Sequence, residues 1–242
     1  MKKSRKPDYR KPLVLLGVFL VYTILVASVD VQPIGPEGSS VGFAAVNGFF
    51  HKALGFNAIF YTLSKLIGCG AILLGLANAA WGIRNLIAGR SLKKVGNDIL
   101  AAGCVYVLMA AAYALFEVII INYRPVILDE GLEASYPSSH TVLAVTILTA
   151  AAFQLRFRIR DRQRRALIAR ILYVLAGLMV LARFISGVHW FTDILGGLLL
   201  GLALASLYIP FKRRLDLILP PERRKRAKTR QAAAEDGQQE EA

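Results

Sequence analysis

Three short stretches of this 242-residue chain carry the side chains needed to hold and cleave a phosphate ester. Guanidinium groups bind phosphate oxygens through paired hydrogen bonds, and an imidazole can attack phosphorus or transfer protons. A hydrophobic protein that keeps such polar groups at membrane depth is expected to use them. The stretches are Tyr123-Arg124-Pro125, Pro137-Ser138-Ser139-His140, and Arg183 followed by His189 and Asp193.

The spacing of the third stretch predicts how its side chains cooperate. His189 and Asp193 are four residues apart, so on a helix the carboxylate lies one turn from the imidazole. A carboxylate that accepts a hydrogen bond from one ring nitrogen fixes the tautomer and leaves the other nitrogen free to attack. Arg183 would not share a helix face with His189, but the intervening Ser186-Gly187 turn can direct both side chains to a common centre.

The second stretch is typical of a helix start. Pro137 suits the first turn, and Ser138 or Ser139 can cap the helix. The free backbone N–H groups and the positive end of that helix would form an anion site beside the arginines. Further along the chain, Gly197 and Gly201 form a small-xxx-small pair that predicts close helix packing.

The elements that position these residues are predicted to be membrane-spanning helices. The chain is 55% hydrophobic, with a mean hydropathy of +0.49, and its apolar blocks approach the roughly 20 residues that cross a bilayer. Only helices or closed barrels satisfy the backbone in lipid, and no alternating barrel pattern is evident. The prediction is an all-α, polytopic membrane helical bundle with six spans, at 12–29, 57–81, 98–121, 139–155, 168–185 and 190–211.

The net charge of +14 predicts the orientation of this bundle. Basic clusters precede the first span and follow the second, fourth and sixth, whereas the other connections hold little beyond Lys52 and Arg124. This alternation follows the positive-inside rule and predicts that both termini are cytoplasmic. All three stretches then lie on the extracytoplasmic face of a multi-pass protein of the cell (inner, cytoplasmic) membrane. The basic charge is thereby explained without a nucleic-acid partner.

The chain divides into a membrane domain, residues 1–219, and a tail, residues 220–242. The tail runs basic and then acidic with little apolar content, which predicts a disordered cytoplasmic extension. Cys69 and Cys104 both lie inside predicted spans, and their spacing fits neither a disulfide nor a metal site.

The three stretches, in order and with fitting intervals, resemble the signature stretches of the type 2 phosphatidic acid phosphatase superfamily. Its members include lipid phosphate phosphatases, bacterial undecaprenyl-diphosphate phosphatases, glucose-6-phosphatase and the vanadium haloperoxidases. The resemblance implies a phosphatase without metal or cofactor, in which His189 attacks phosphorus, Asp193 orients it and His140 acts as general acid. It further implies that the phosphate oxygens are held by Arg124, Arg183, Ser138 and Ser139 with nearby backbone N–H groups.

Three positions depart from the family pattern. Ser139 replaces the usual Gly of the second stretch, and Ala182 replaces the common Ser before Arg183. Glu117 occupies a position where the family often has a phosphate-binding lysine. Because the predicted spans place Lys65 and Glu117 at similar depth, we hypothesise that Lys65 neutralises Glu117 and partly supplies the missing positive charge. The alternative is that Glu117 meets only water or backbone.

The expected substrate is a membrane lipid phosphate or diphosphate held by its chain at the outer leaflet. Undecaprenyl diphosphate, phosphatidylglycerophosphate and phosphatidic acid are not ranked by the sequence, and the oligomeric state stays open. The main competing function is that of a non-catalytic lipid-phosphate binding or transport protein in which Glu117 has cost the activity. A phosphotransferase or a vanadate-dependent oxidase is also compatible with these residues.

Overall fold

The computed structural model describes residues 6–128 and 131–220, which form helices joined by loops, without a strand in these ranges. Six segments are long and apolar enough to cross a membrane, and the predicted all-α fold with six such segments is confirmed. In chain order the elements are α1 Arg10–Ser28, a 3-10 turn Pro36–Gly38, α2 Ala44–Leu54, α3 Ala58–Gly89, α4 Leu92–Val95, α5 Asn97–Val118, α6 Ser139–Arg158, α7 Arg162–Ile185, α8 Phe191–Ser206 and α9 Tyr208–Ile218.

The helices α6 and α8 form the centre of the bundle. In the most apolar part of α6, 67% of the residues are buried, against 17–22% in α1, α3, α5 and α7. Helices that expose apolar side chains all round are expected where lipid is the solvent, since lipid does not penalise apolar surface. The sixth apolar segment combines α8 and α9, which are separated only at Leu207.

Glycines allow α8 to approach α6 closely. A Cβ atom added at Gly197 would lie 2.9 Å from the backbone oxygen of Ser138, and one added at Gly201 would lie 2.9 Å from Cβ of Val145. Small residues permit such close backbone contact between membrane helices. The helix packing predicted from the Gly197 and Gly201 pair is confirmed.

Replacing Gly196 by alanine should destabilise the bundle. The added Cβ would lie 2.5 Å from Cε2 of Tyr136, whose ring is buried. Overpacking of this kind costs about 1–3 kcal/mol. We expect Gly196→Ala to lower Tm in detergent, while Gly177→Ala, whose added Cβ meets no heavy atom within 4 Å, serves as the matched control. Equal Tm values for the two variants would contradict this packing.

One end of the bundle collects the start of α3, the end of α5, the start of α6, the end of α7 and the start of α8. Helix α2 and the loop after it close this end: Asn47 donates from Nδ2 to Oγ1 of Thr192 over 2.9 Å, and the N–H of Asn57 donates to the carbonyl of Ser186 over 3.0 Å. The three stretches therefore lie at the same end, as predicted. The predicted tail lies outside the described residues except for Pro220.

Candidate active site

The buried guanidinium of Arg183 is the centre of the polar cluster. From Nη2 it donates to Nδ1 of His140 and to Nε2 of His189, both at 3.3 Å. From Nη1 it donates to Oγ of Ser64 at 3.1 Å. Because a guanidinium has only donors, the two ring nitrogens that face it must carry lone pairs. Two of the three stretches thus meet at one cation, inside the protein.

The turn between α7 and α8 brings Arg183 and His189 together, as the sequence predicted. Gly187 has a φ of +68°, and a Cβ there would lie 1.8 Å from the carbonyl oxygen of Gly55. Only glycine fits this left-handed, closely packed position. The hydroxyl of Ser186 donates to the carbonyl of Arg183 over 2.7 Å, which closes the turn.

The predicted direct contact between His189 and Asp193 is wrong. Nδ1 of His189 lies 3.9 Å from Oδ2 of Asp193, which is too long for a hydrogen bond. His189 precedes the first residue of α8, Phe191, so the spacing of a continuous helix does not apply to the pair. The hydroxyl of Ser135 lies between them, 2.5 Å from Oδ2 of Asp193 and 2.9 Å from Nδ1 of His189.

Asp193 is held by three donors. Besides Ser135, Nδ2 of Asn122 donates to Oδ1 over 2.9 Å and the N–H of Trp190 donates to Oδ2 over 3.0 Å. The contact with Trp190 also satisfies a free N–H at the start of α8. Asp193 therefore fixes both the helix start and the polar cluster beneath His189.

The connection between α5 and α6 carries the first stretch and returns the chain to the second. Tyr123 and Ala134 form an antiparallel β-bridge, and the N–H of Ser135 donates to the carbonyl of Asn122 over 2.9 Å. In addition, Nε1 of Trp190 donates to the carbonyl of Tyr123 over 2.7 Å. The loop thereby places the side chains of Asn122 and Ser135 beside Asp193.

Three members of the cluster were not predicted. Asn122 and Ser135 each stand two residues before a motif residue, Arg124 and Pro137 respectively, and this adjacency is the signal that could have found them. Ser64 lies near the start of α3, outside all three stretches. No pattern in the sequence marks it.

Arg124 lies at the edge of the cluster and is paired with Glu133. Its Nε lies 3.0 Å from Oε2 of Glu133, and its side chain is 15% exposed. Burial lowers the pKa of His189 well below its ordinary value, and the charges of Arg183 and Arg124 lower it further. In the unliganded protein His189 is therefore neutral at pH 7, which is the form that can act as a nucleophile.

The start of α6 differs in one detail from the prediction. Ser138 occupies the position before the helix, but its side chain makes no capping hydrogen bond. Instead its hydroxyl accepts from Oγ1 of Thr141 over 3.0 Å, and its N–H donates to the carbonyl of Asp193 over 3.0 Å. The first helical hydrogen bond runs from the N–H of Val142 to the carbonyl of Ser138, so the N–H groups of residues 139–141 have no acceptor within the helix and are available to bind an anion.

The predicted pairing of Lys65 with Glu117 is not present within residues 6–128. The ammonium of Lys65 lies 4.7 Å from the ring centroid of Tyr61, and the Arg183 guanidinium lies 5.4 Å from the same ring. Lys65 is the eighth residue of α3, whereas Glu117 is the last but one of α5. At about 1.5 Å per residue the two differ in depth by about 9 Å, which explains the missing contact.

A cavity of about 380 Å³ adjoins the cluster, because His140 and Ser135 line it. Ser139 also lines it, and Tyr113 and Glu117 contribute polar groups from α5. The rest of its wall is mainly apolar. Separately, within residues 6–128 and 131–220 no group of three or more His, Cys, Asp or Glu side chains could hold a metal ion.

The family model of the PAP2 superfamily matches residues 109–216. The family predicted from the motifs is confirmed. The matched segment runs from the second half of α5 to α9 and contains all three stretches. Lys65 and Ser64 lie outside it.

Two solved structures are similar to this chain. A crystal structure described as the first transmembrane PAP2-type phosphatidylglycerolphosphate phosphatase, from Bacillus subtilis, aligns with a TM-score of 0.60 and 22% identity over 85% of this chain and 97% of that one. LpxE from Aquifex aeolicus aligns with a TM-score of 0.41 and 26% identity over 69% of this chain and 95% of that one. The first likeness shows a shared fold. The comparison with curated proteins found no match.

Proposed function

We propose that this protein is an integral membrane phosphatase that hydrolyses a lipid phosphate or diphosphate through a phosphohistidine at His189. The observation that carries the proposal is that one guanidinium nitrogen, Nη2 of Arg183, lies 3.3 Å from a ring nitrogen of His140 and 3.3 Å from a ring nitrogen of His189. A phosphate bound to Arg183 would lie between a nucleophile and an acid-base group.

In the first step Nε2 of His189 attacks phosphorus, a P–N bond forms, and the P–O bond to the lipid breaks. His140 donates a proton to the departing oxygen. The negative charge of the bound phosphate favours the protonated form of His140, although His140 lies beside the Arg183 cation. The products of this step are the phosphohistidine and the lipid that has lost one phosphoryl group, an alcohol from a lipid phosphate or a monophosphate from a lipid diphosphate.

In the second step a water molecule attacks phosphorus, the P–N bond breaks, and His140 accepts the proton from the water. Arg183, Arg124 and the N–H groups at the start of α6 hold the phosphate oxygens as charge develops. Ser138 and Ser139 complete this side of the site. Apart from the attacking water, the groups that act in the two steps are side chains and N–H groups of this chain.

The lipid chain is assigned to the cavity that reaches His140. An apolar wall beside the leaving-group side of the site suits a hydrocarbon chain attached to the departing oxygen. The alternation of basic connections favours the extracytoplasmic face, with both termini in the cytoplasm. Phosphatidylglycerophosphate, phosphatidic acid and undecaprenyl diphosphate are the candidate substrates, and the first is named in the description of the Bacillus subtilis protein.

A substrate panel tests the proposed function. Purified protein is incubated with the three candidate lipids, with and without chelator, beside a His189→Ala variant. We expect phosphate release from at least one lipid by the parent, unchanged by chelator and absent in the variant. Release by neither protein would favour a lipid-phosphate binding or transport protein. Transfer of phosphate to an added alcohol would reveal a phosphotransferase.

Narrowing the cavity should weaken the binding of long-chain substrates. Ala112 lines the cavity on α5, and phenylalanine there would occupy space assigned to the chain. We expect Ala112→Phe to raise KM for a long-chain lipid phosphate by about tenfold, in line with losing one to two buried methylene contacts. The rate with a short, soluble phosphate ester should stay within about threefold. Ala114→Phe, on an exposed part of the same helix, is the matched control.

Removing the charge of Lys65 should slow the reaction. Its ammonium lies over the Tyr61 ring, which the Arg183 guanidinium also contacts. Losing one cation near a bound phosphate is expected to lower kcat/KM by about tenfold. The test compares Lys65→Met with Lys52→Met in steady-state assays. Unchanged kcat/KM in Lys65→Met would remove Lys65 from the phosphate site. The Glu117→Gln variant, measured in the same assay, tests whether the Glu117 carboxylate weakens the effect of the Lys65 charge on kcat/KM.

A further inference from the structure

We propose that Ser135 is a positioning residue that couples Asp193 to His189 and holds the imidazole in the tautomer that can attack phosphorus. The inference rests on the proposed function and deepens it. It assigns to a serine hydroxyl the orienting contact that the spacing of His189 and Asp193 had predicted to be direct.

The distances leave Ser135 as the connection between the two groups. The Ser135 hydroxyl lies 2.5 Å from the carboxylate and 2.9 Å from the ring nitrogen, whereas carboxylate and ring are 3.9 Å apart. A gap of that length is not a hydrogen bond. Ser135 is 2% exposed and Asp193 is fully buried, so the contact lies inside the protein.

The position of each hydrogen atom follows from the partners of Asp193. Nδ2 of Asn122 must face the carboxylate because Oδ1 of Asn122 accepts from the N–H of Gly42 at 3.3 Å. The carboxylate therefore receives a donor from Asn122 and another from the backbone of Trp190. An ionised carboxylate only accepts, so the third contact requires the Ser135 hydroxyl to donate to it.

The same reasoning fixes the tautomer of His189. Once its single hydrogen is directed at Asp193, Ser135 has only lone pairs for Nδ1 of His189, so Nδ1 must carry a proton. The neutral ring then has its lone pair on Nε2. This agrees with the opposite side of the ring, where Arg183 can only donate to Nε2. Two independent contacts therefore select the same tautomer, with the attacking nitrogen toward the phosphate site.

The backbone holds Ser135 in place for this task. Its N–H donates to the carbonyl of Asn122, directly beside the bridge between Tyr123 and Ala134. The loop that presents Arg124 to the phosphate thus also presents Ser135 to the nucleophile. When the phosphohistidine forms, the proton on Nδ1 stays and the ring becomes positively charged. The hydrogen bonds of the Ser135 hydroxyl then connect this positive ring to the Asp193 carboxylate, which stabilises it.

Kinetics of Ser135→Ala give the first test. We expect kcat to fall by about 30- to 100-fold, because an unoriented nucleophile loses attack geometry, while KM stays within about threefold. Ser206→Ala is the matched control, since its hydroxyl donates to the carbonyl of Ala203 at the end of α8 that lies away from the site. An unchanged kcat in Ser135→Ala, in a protein that requires His189, would overturn the inference and leave the proposed function standing.

The tautomer of His189 gives a second test that needs no turnover. The chain has only three histidines, so 15N-histidine spectra of the parent and of single histidine variants assign His189 directly. We expect the parent to show a protonated Nδ1 and a bare Nε2, and Ser135→Ala to show a smaller population of this tautomer, because only the contact with Arg183 then favours it. The opposite tautomer in the parent, or a tautomer population in Ser135→Ala equal to that of the parent, would overturn the inference. If no lipid is hydrolysed by the parent, the proposed function fails and this spectrum still decides the role of Ser135.

Discussion

Replacing His189 by alanine is expected to abolish phosphate release, with a fall in kcat of about four orders of magnitude or more, because removing a nucleophile leaves only the binding groups. The imidazole is buried and its two ring nitrogens contact Arg183 and Ser135, so its removal leaves no ring nitrogen at this position. The measurement is steady-state phosphate release from the best lipid of the panel. His51→Ala is the control, since His51 lies on α2 and packs against the ring of Trp190.

The affinity of the His189→Ala variant for the lipid is equally informative. Binding should persist in His189→Ala, because Arg183, Arg124 and the cavity are unchanged, and KM or Kd should stay within about tenfold. A His189→Ala protein that keeps more than about one-hundredth of the parental kcat would place the nucleophile elsewhere.

Replacing Arg183 by lysine is expected to lower kcat/KM by about 10²- to 10³-fold, the usual effect of losing a fixed donor to developing charge. The guanidinium donates at the same time to Ser64, His140 and His189 from two different nitrogens. A lysine ammonium keeps the charge but has no planar fork and cannot reproduce these three contacts together. The measurement is kcat/KM for the same lipid.

Arg170→Lys provides the matched control, since Arg170 lies on the same helix and is exposed. It should leave kcat/KM unchanged. Equal activity of Arg183→Lys and the parent would mean that charge alone suffices at this position, and that the convergence of the two histidines on the guanidinium is not used in the reaction.

The general layout could be predicted because it depends on properties that a sequence displays directly. Apolar length predicts the spans, and Arg124, His140 and Arg183 follow at the same end once the spans alternate. The Ser186-Gly187 turn was predictable since glycine marks a change of chain direction between two apolar segments. The motif spacing also identified the family whose model matches residues 109–216.

The contacts inside the site could not be predicted because they depend on where helices begin and end. The spacing of His189 and Asp193 implied a direct hydrogen bond only if α8 had already begun at His189, and it begins at Phe191. Likewise the similar depths predicted for Lys65 and Glu117 assumed that α5 runs to residue 121, and it ends at Val118. An error of two or three residues at a helix end therefore reassigns a contact while the fold stays correct.

Trapping the phosphorylated protein tests whether His189 is the nucleophile. With an activated phosphate ester that needs no acid for departure, His140→Ala should form the phosphohistidine and then hydrolyse it slowly. After rapid quenching, we predict a protein-bound phosphoryl group that is lost in acid, survives alkali, and maps to the peptide containing His189. A protein that releases phosphate without ever carrying this group on His189, or that carries it on another residue, would contradict the mechanism.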